Sequence, residues 1–141
     1  MRFWDTSAIV PLLVPGPRTK RLEAELRADP AVAVWWGTIV ECASAVARLE
    51  REGRLTGPAG RIAMDRAAAA RAGWTEVPPV DRAREQAMRV LRVHPLRAAD
   101  ALQLGAAMLL ANLSPASLPF VTCDVPLADA ARREGFPVIE A

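Results

Sequence analysis

From Arg97 to Leu110 the chain reads Arg-Ala-Ala-Asp-Ala-Leu-Gln-Leu-Gly-Ala-Ala-Met-Leu-Leu, a helical stretch that is apolar almost all the way round. A surface helix needs only one apolar stripe, so a helix without a polar face has to be covered on every side and must be central. Short apolar runs supply the cover. Phe3-Trp4 and Phe120 to Cys123 are rich in strand formers, and Ala31 to Trp35 is a continuous apolar run, as in a strand buried on both faces. Each run leads into a helix. Strands alternating with helices predict a parallel sheet with helices on both faces, a three-layer α/β/α sandwich. With 141 residues, 52% of them hydrophobic, residues 1–141 form one domain that buries roughly two thirds of the unfolded surface.

The turns punctuate that reading. Thr6 or Ser7 caps a first helix that stops at Pro15; Pro15-Gly16-Pro17 turns into a second that Asp29-Pro30 ends. Gly37-Thr38 opens a third helix closing at Gly53, and Thr56-Gly57-Pro58 a fourth closing at Gly73. Trp74 to Val77 reads as a short strand. Asp81 is the expected N-cap of a helix to about Val93, Pro126 starts the last helix, and Phe136 to Ile139 is expected as an edge strand carrying Pro137. No internal repeat or low-complexity tail is present.

Composition removes several classes of function. Two cysteines, Cys42 and Cys123, with the single His94, suit neither a disulfide framework nor a zinc site. No apolar stretch reaches membrane-spanning length and no leader precedes the first strand, so a cytoplasmic protein without a membrane anchor is expected. The net charge is only +2. Lys20 is the one lysine among 18 basic residues, and arginine suits bidentate phosphate contacts, although a general Arg and Ala bias would give the same count.

Four carboxylates carry the chemistry. Asp5, Glu41, Asp100 and Asp124 each stand at a strand's carboxyl end or in a helix's first turn, and in a parallel sheet such ends face the same way. Each has a bland alternative. Asp5 can simply share capping with Ser7, Thr38 and Glu41 match a capping box, and Asp100 suits the helix dipole. Carboxylates brought together repel, so convergence makes best sense with Mg²⁺ or Mn²⁺ between them, and such ions serve phosphodiester hydrolysis without a histidine or cysteine nucleophile.

Asp5-Thr6-Ser7, Glu41 in Val-Glu-Cys-Ala-Ser-Ala, Leu96-Arg-Ala-Ala-Asp100-Ala-Leu-Gln-Leu and Thr122-Cys-Asp124 together resemble the PIN domain of VapC-type toxin ribonucleases. The likeness runs over nearly the whole chain and in order. It implies a Mg²⁺- or Mn²⁺-dependent endoribonuclease acting on RNA, paired with a VapB-type antitoxin and usually a homodimer. It also implies that Asp5, Glu41, Asp100 and Asp124 are the metal-binding catalytic acids, with Thr6 or Ser7 and Thr122 as supporting hydroxyls. Arg97 either reaches a substrate phosphate or offsets the acids. Val125-Pro126 stands where many relatives carry polar or basic residues, and Asp129 reads as solvated. Trp35, Trp36 and Trp74 are possible stacking platforms for RNA, with core or dimer packing as the plainer reading.

Two enzymatic rivals fail on residues. A haloacid-dehalogenase-like phosphatase needs a second Asp where Ser7 stands, and a phospho-receiver domain needs a late lysine, whereas Lys20 is early. The remaining alternative is a PIN-fold module that binds RNA or a partner with little catalysis.

Overall fold

The structure is a computed structural model describing all residues 1–141. Its elements are β1 (Arg2–Trp4), α1 (Thr6–Leu13), α2 (Thr19–Ala28), β2 (Val32–Trp35), α3 (Thr38–Arg51), α4 (Gly57–Arg71), β3 (Thr75–Val77), α5 (Asp81–Val93), α6 (Ala98–Leu110), β4 (Phe120–Thr122), α7 (Val125–Arg133) and β5 (Val138–Glu140). All strand pairs are parallel, in the order β3-β2-β1-β4-β5. The first strand is thus the middle of the sheet. Phe3 pairs with Ala33 on one side and Phe120 on the other.

Successive strand residues face opposite ways, and the sheet divides the core accordingly. Phe3, Ala33, Trp35, Phe120 and Val77 point toward α5, α6 and α7, with the Phe3 and Phe120 rings stacked at 5.3 Å. Trp4, Val32, Val34 and Val121 point the other way, toward α1, α2, α3 and α4. The architecture is the expected three-layer α/β/α sandwich. The α6 helix is buried along most of its surface, with Ala101, Leu104, Ala106 and Ala107 fully buried, but it lies in a helical layer and not at the centre, and Leu102, Leu109 and Leu110 on its outer side are only partly covered. A Cβ on Gly105 would lie 2.7 Å from the Ala87 amide nitrogen and 2.9 Å from the Ala83 carbonyl oxygen. Backbone meets backbone there, so α5 presents alanines and α6 a glycine.

Gly53 and Gly135, at φ of 67° and 95°, follow α3 and α7 where the sequence placed helix stops. Thr56 caps α4 by accepting from the Ala59 amide at 3.3 Å. Other boundaries move. Asp81 is not an N-cap: Val80 occupies that place, and Asp81 is the first helical residue, exposed and paired with Arg84 at 3.1 Å. A first-turn acid satisfies the helix dipole as well as a cap would, so the sequence signal was real and its position off by one. Trp74 lies outside β3, and β5 begins after Pro137 because proline cannot donate to the ladder. His94 is buried and bonded to Glu134 at 2.7 Å, which Arg89 also holds at 2.6 Å. That cluster fastens α5 to α7. No helix is long and apolar enough to cross a membrane.

Candidate active site

The neighbouring strands β1 and β4 are each followed by an aspartate that caps the next helix. Asp5 accepts from the Ser7 amide and, through its other oxygen, from the Ser7 hydroxyl at 2.8 Å and the Thr122 hydroxyl. Ser7 Oγ in turn accepts from the Cys123 amide at 2.8 Å, and Thr122 Oγ1 from the Asp124 amide at 3.0 Å. The two strand-to-helix junctions are therefore stitched together beneath the sheet edge. Asp124 caps α7 by accepting from the Leu127 amide at 2.8 Å. Ser7 and Thr122 thus both donate a hydroxyl to Asp5.

Glu41 enters from α3, one turn in. Its Oε2 accepts from the Thr6 hydroxyl at 2.7 Å and from the side-chain amide of Gln103 at 3.1 Å. The capping box that Thr38 and Glu41 could have formed is absent: Gly37 is the N-cap, no side chain closes that end, and Thr38 accepts from Gln103 at 3.2 Å instead. Gln103 was missed in the sequence. The signal was there, because Asp100 and Gln103 are the only polar residues in α6, three apart and so on one face. Its amide nitrogen reaches Thr6 at 2.8 Å as well, while its own Oε1 is buried without a partner.

Burial and mutual repulsion raise the proton affinity of these acids. Asp5 is 3% exposed, and desolvation, with the nearby Asp124 charge adding to it, pushes its pKa up to about 6 against the opposing bonds from Thr122 and Ser7. Glu41 is raised chiefly by burial, with the Asp100 charge adding to it while Thr6 and Gln103 pull down. Asp100 is raised by burial and by Asp124, against the lowering influence of Arg97. The four acids thus feel one another in sequence, Asp5 to Asp124 to Asp100 to Glu41.

Glu41 and Asp100 open into a cleft of about 610 Å³ that Thr6, Ser7, Arg48, Arg51 and Arg97 also line. Asp5 and Asp124 do not line it; Asp5 lies behind, closed in by its hydrogen bonds. As donors the four are carboxylates, the oxygen ligands a hard divalent cation takes, and their repulsion is what such a charge would offset. Their arrangement is open, since no three acidic, histidine or cysteine side chains are gathered tightly enough to hold an ion as they stand. Asp129 is exposed and paired with Arg132 at 3.2 Å, as its solvated reading implies. Among the tryptophans, Trp35 is core and Trp74 is half-buried, leaving Trp36 exposed at the end of β2. Val125 is exposed just after Asp124.

No family model matches the chain, and no curated protein sequence does. Solved structures do. FitAcB from Neisseria gonorrhoeae superposes with a TM-score of 0.68 at 20% identity, covering 99% of this chain and 97% of that one. A toxin-antitoxin complex from Klebsiella pneumoniae gives 0.64 at 17% identity, with 99% and 96% covered. PAE2754 from Pyrobaculum aerophilum gives 0.62 at 22% identity, with 92% and 78% covered. At such identities the likeness is one of fold: along essentially its whole length, the chain has the three-layer, all-parallel, PIN-like architecture of these proteins.

Proposed function

We propose that the protein is a Mg²⁺- or Mn²⁺-dependent endoribonuclease and the toxin of a VapBC-type pair, working in the cytoplasm as a homodimer held in check by a VapB-type antitoxin. The observation that carries the reading is the pair Glu41 and Asp100 facing one open cleft, with Asp5 behind them and Asp5, Glu41 and Asp100 raised in proton affinity. Asp5, Glu41, Asp100 and Asp124 would hold the cation, which when bound would offset their repulsion and supply positive charge to water and to a scissile phosphate. Thr6 and Gln103 fix one oxygen of Glu41 and leave the other free. Ser7 and Thr122 hold Asp5 in place and favour its ionised form. Arg97, exposed in the same cleft as Asp100, would take a substrate phosphate or offset the acids. The fold's occurrence in a toxin-antitoxin complex supports the antitoxin partnership.

A second reading has its own observation. Asp5 spends both oxygens on internal hydrogen bonds and no tight acid cluster stands ready, which suits a module that binds RNA without cutting it. One experiment separates them: purified protein incubated with end-labelled single-stranded RNA in Mg²⁺, Mn²⁺ or excess EDTA. Cleavage that EDTA abolishes, leaving 5′-phosphate and 3′-hydroxyl ends, is expected. Tight binding without cleavage in either metal would select the binding module, and cleavage undiminished in EDTA would exclude a metal role.

A further inference from the structure

The cleft that holds Glu41 and Asp100 continues into a second, of about 510 Å³, and the two share Val10, Pro11, Ala45 and Arg48. Arginines mark its course. Arg97 and Arg51 stand in the acid end, Arg48 at the junction, and Arg18 and Arg54 in the far end. Arg18, Arg48, Arg51 and Arg97 form no ion pair with Asp or Glu, whereas Arg54 is paired with Glu52 at 3.3 Å. Glu41 and Asp100 offset charge at the acid end, but no acid lines the far end, where Arg18, Arg48 and Arg54 stand, so the cleft beyond the acids favours a polyanion.

We infer that this cleft is the track of a single-stranded RNA, with Arg48 and Arg51 gripping successive backbone phosphates on one side of the cut. The inference rests on the ribonuclease reading above. On α3, Arg48 lies seven residues beyond Glu41 and Arg51 ten, which sets them about 10 Å and 15 Å along the helix axis from the acid. The helix is a ruler: the scissile phosphate sits at the acids, and its neighbours a few nucleotides along meet the arginines. A single strand fits better than a duplex. The floor of the track is apolar, formed by Val10, Pro11 and Val14, and only unpaired bases can turn their faces to it while the backbone meets the arginines.

The test compares the parent with Arg48→Ala/Arg51→Ala and Arg48→Lys/Arg51→Lys. Binding of a fluorescent single-stranded RNA is followed by anisotropy over a range of salt, with RNA cleavage in Mg²⁺ measured in parallel. Both side chains are exposed, and melting curves confirm that each variant folds. For single strands each phosphate contact adds about 0.7 to the slope of log affinity against log salt, so the alanine pair should reduce the slope by about 1.4 and the lysine pair should restore most of it. The same RNA annealed into a duplex should bind more weakly, with a slope the alanine pair leaves alone. Unchanged single-strand affinity and slope would overturn the track. So would a polyglutamate probe whose affinity falls in the alanine pair while that of RNA does not, since the cleft would then receive an acidic protein segment. The two readings fail separately: a parent that binds RNA with an arginine-dependent slope but does not cut it keeps the track and loses the nuclease, and a parent that cuts while the slope is unchanged does the reverse.

Discussion

Asp5 and Asp124 occupy equivalent places in the chain: each follows a strand, each caps the next helix with its own carboxylate, and their strands are neighbours in the sheet. Their surroundings are not equivalent. Asp5 is buried and takes an amide and two hydroxyls, whereas Asp124 is half-buried and takes one amide. Identical local grammar has made a closed floor at one junction and an open edge at the other, and Asp100 and Glu41 extend the open side into the cleft. Capping decides where a carboxylate stands; the neighbours decide what its charge costs there.

The largest effect is expected at the open side. Asp100→Asn keeps size and much of the hydrogen bonding while removing one charge that faces the cleft, so RNA cleavage should fall at least about a hundredfold. In EDTA the variant should melt no lower than the parent, because repulsion from Asp124 and toward Glu41 is relieved. Added Mg²⁺ should raise the parent's melting temperature more than the variant's, since only binding to the native state stabilises. Full activity together with a much lower melting temperature would put Asp100 on the structural side of the division.

The floor should announce itself through pH. Below the ordinary carboxylate value of 3.8, folded and unfolded chains both hold the Asp5 proton and the group makes no difference. As pH rises, the unfolded chain gives up its proton first while the folded protein keeps it to about 6. Stability therefore falls between about pH 4 and pH 6, by about 3 kcal/mol if Asp5 acts alone. Glu41 and Asp100 are raised too and push the same way. Urea unfolding of the metal-free protein at pH 4.5 and 7 measures the loss, and Asp5→Asn should remove most of it. A metal-free parent whose stability is flat across this window would mean that the floor solvates its charge as well as water does.

How much of this was legible in the sequence follows the same division. The layers were, because Phe3-Trp4 and Ala31 to Trp35 read as buried strands and the apolar α6 needs cover over most of its surface. The carboxylates were also legible by position, since a strand end followed by a capping residue recurs at Asp5 and Asp124. What was not legible were contacts between residues distant in the chain. Thr122 bonds Asp5 across 117 positions and Gln103 bonds Glu41 across 62, and local spacing carries no information about either. The capping box at Thr38 stayed open as an alternative for that reason: the local partner was available, but Gln103 and Thr6 compete for the same groups and win. Only the oddity of a glutamine in an apolar helix hinted at it.

That glutamine gives the next prediction. Gln103→Leu keeps the volume and removes both donors, freeing Glu41 to leave its position while the core remains filled. Cleavage and Mn²⁺ affinity, the latter by calorimetry, should each fall about tenfold or more. In a Glu41→Gln background the same change should add little, since it acts through Glu41. Independent, additive losses would instead make Gln103 a general packing residue of α6.

The smallest effect isolates the cap at the open edge. Asp124→Asn retains an oxygen for the Leu127 amide and removes a charge that raises both Asp5 and Asp100. Asp124→Ala removes the charge and the cap together. Relief of repulsion is common to both variants, so their difference measures capping alone, and the alanine should be the less stable by about 1 kcal/mol. For a chain of this length that corresponds to about 3 °C in melting temperature. Both should cleave RNA poorly, because the charge is gone in each. If the two melted together, the hydrogen bond to Leu127 would contribute nothing, and the likeness between the β1 and β4 junctions would be one of position without shared energetics.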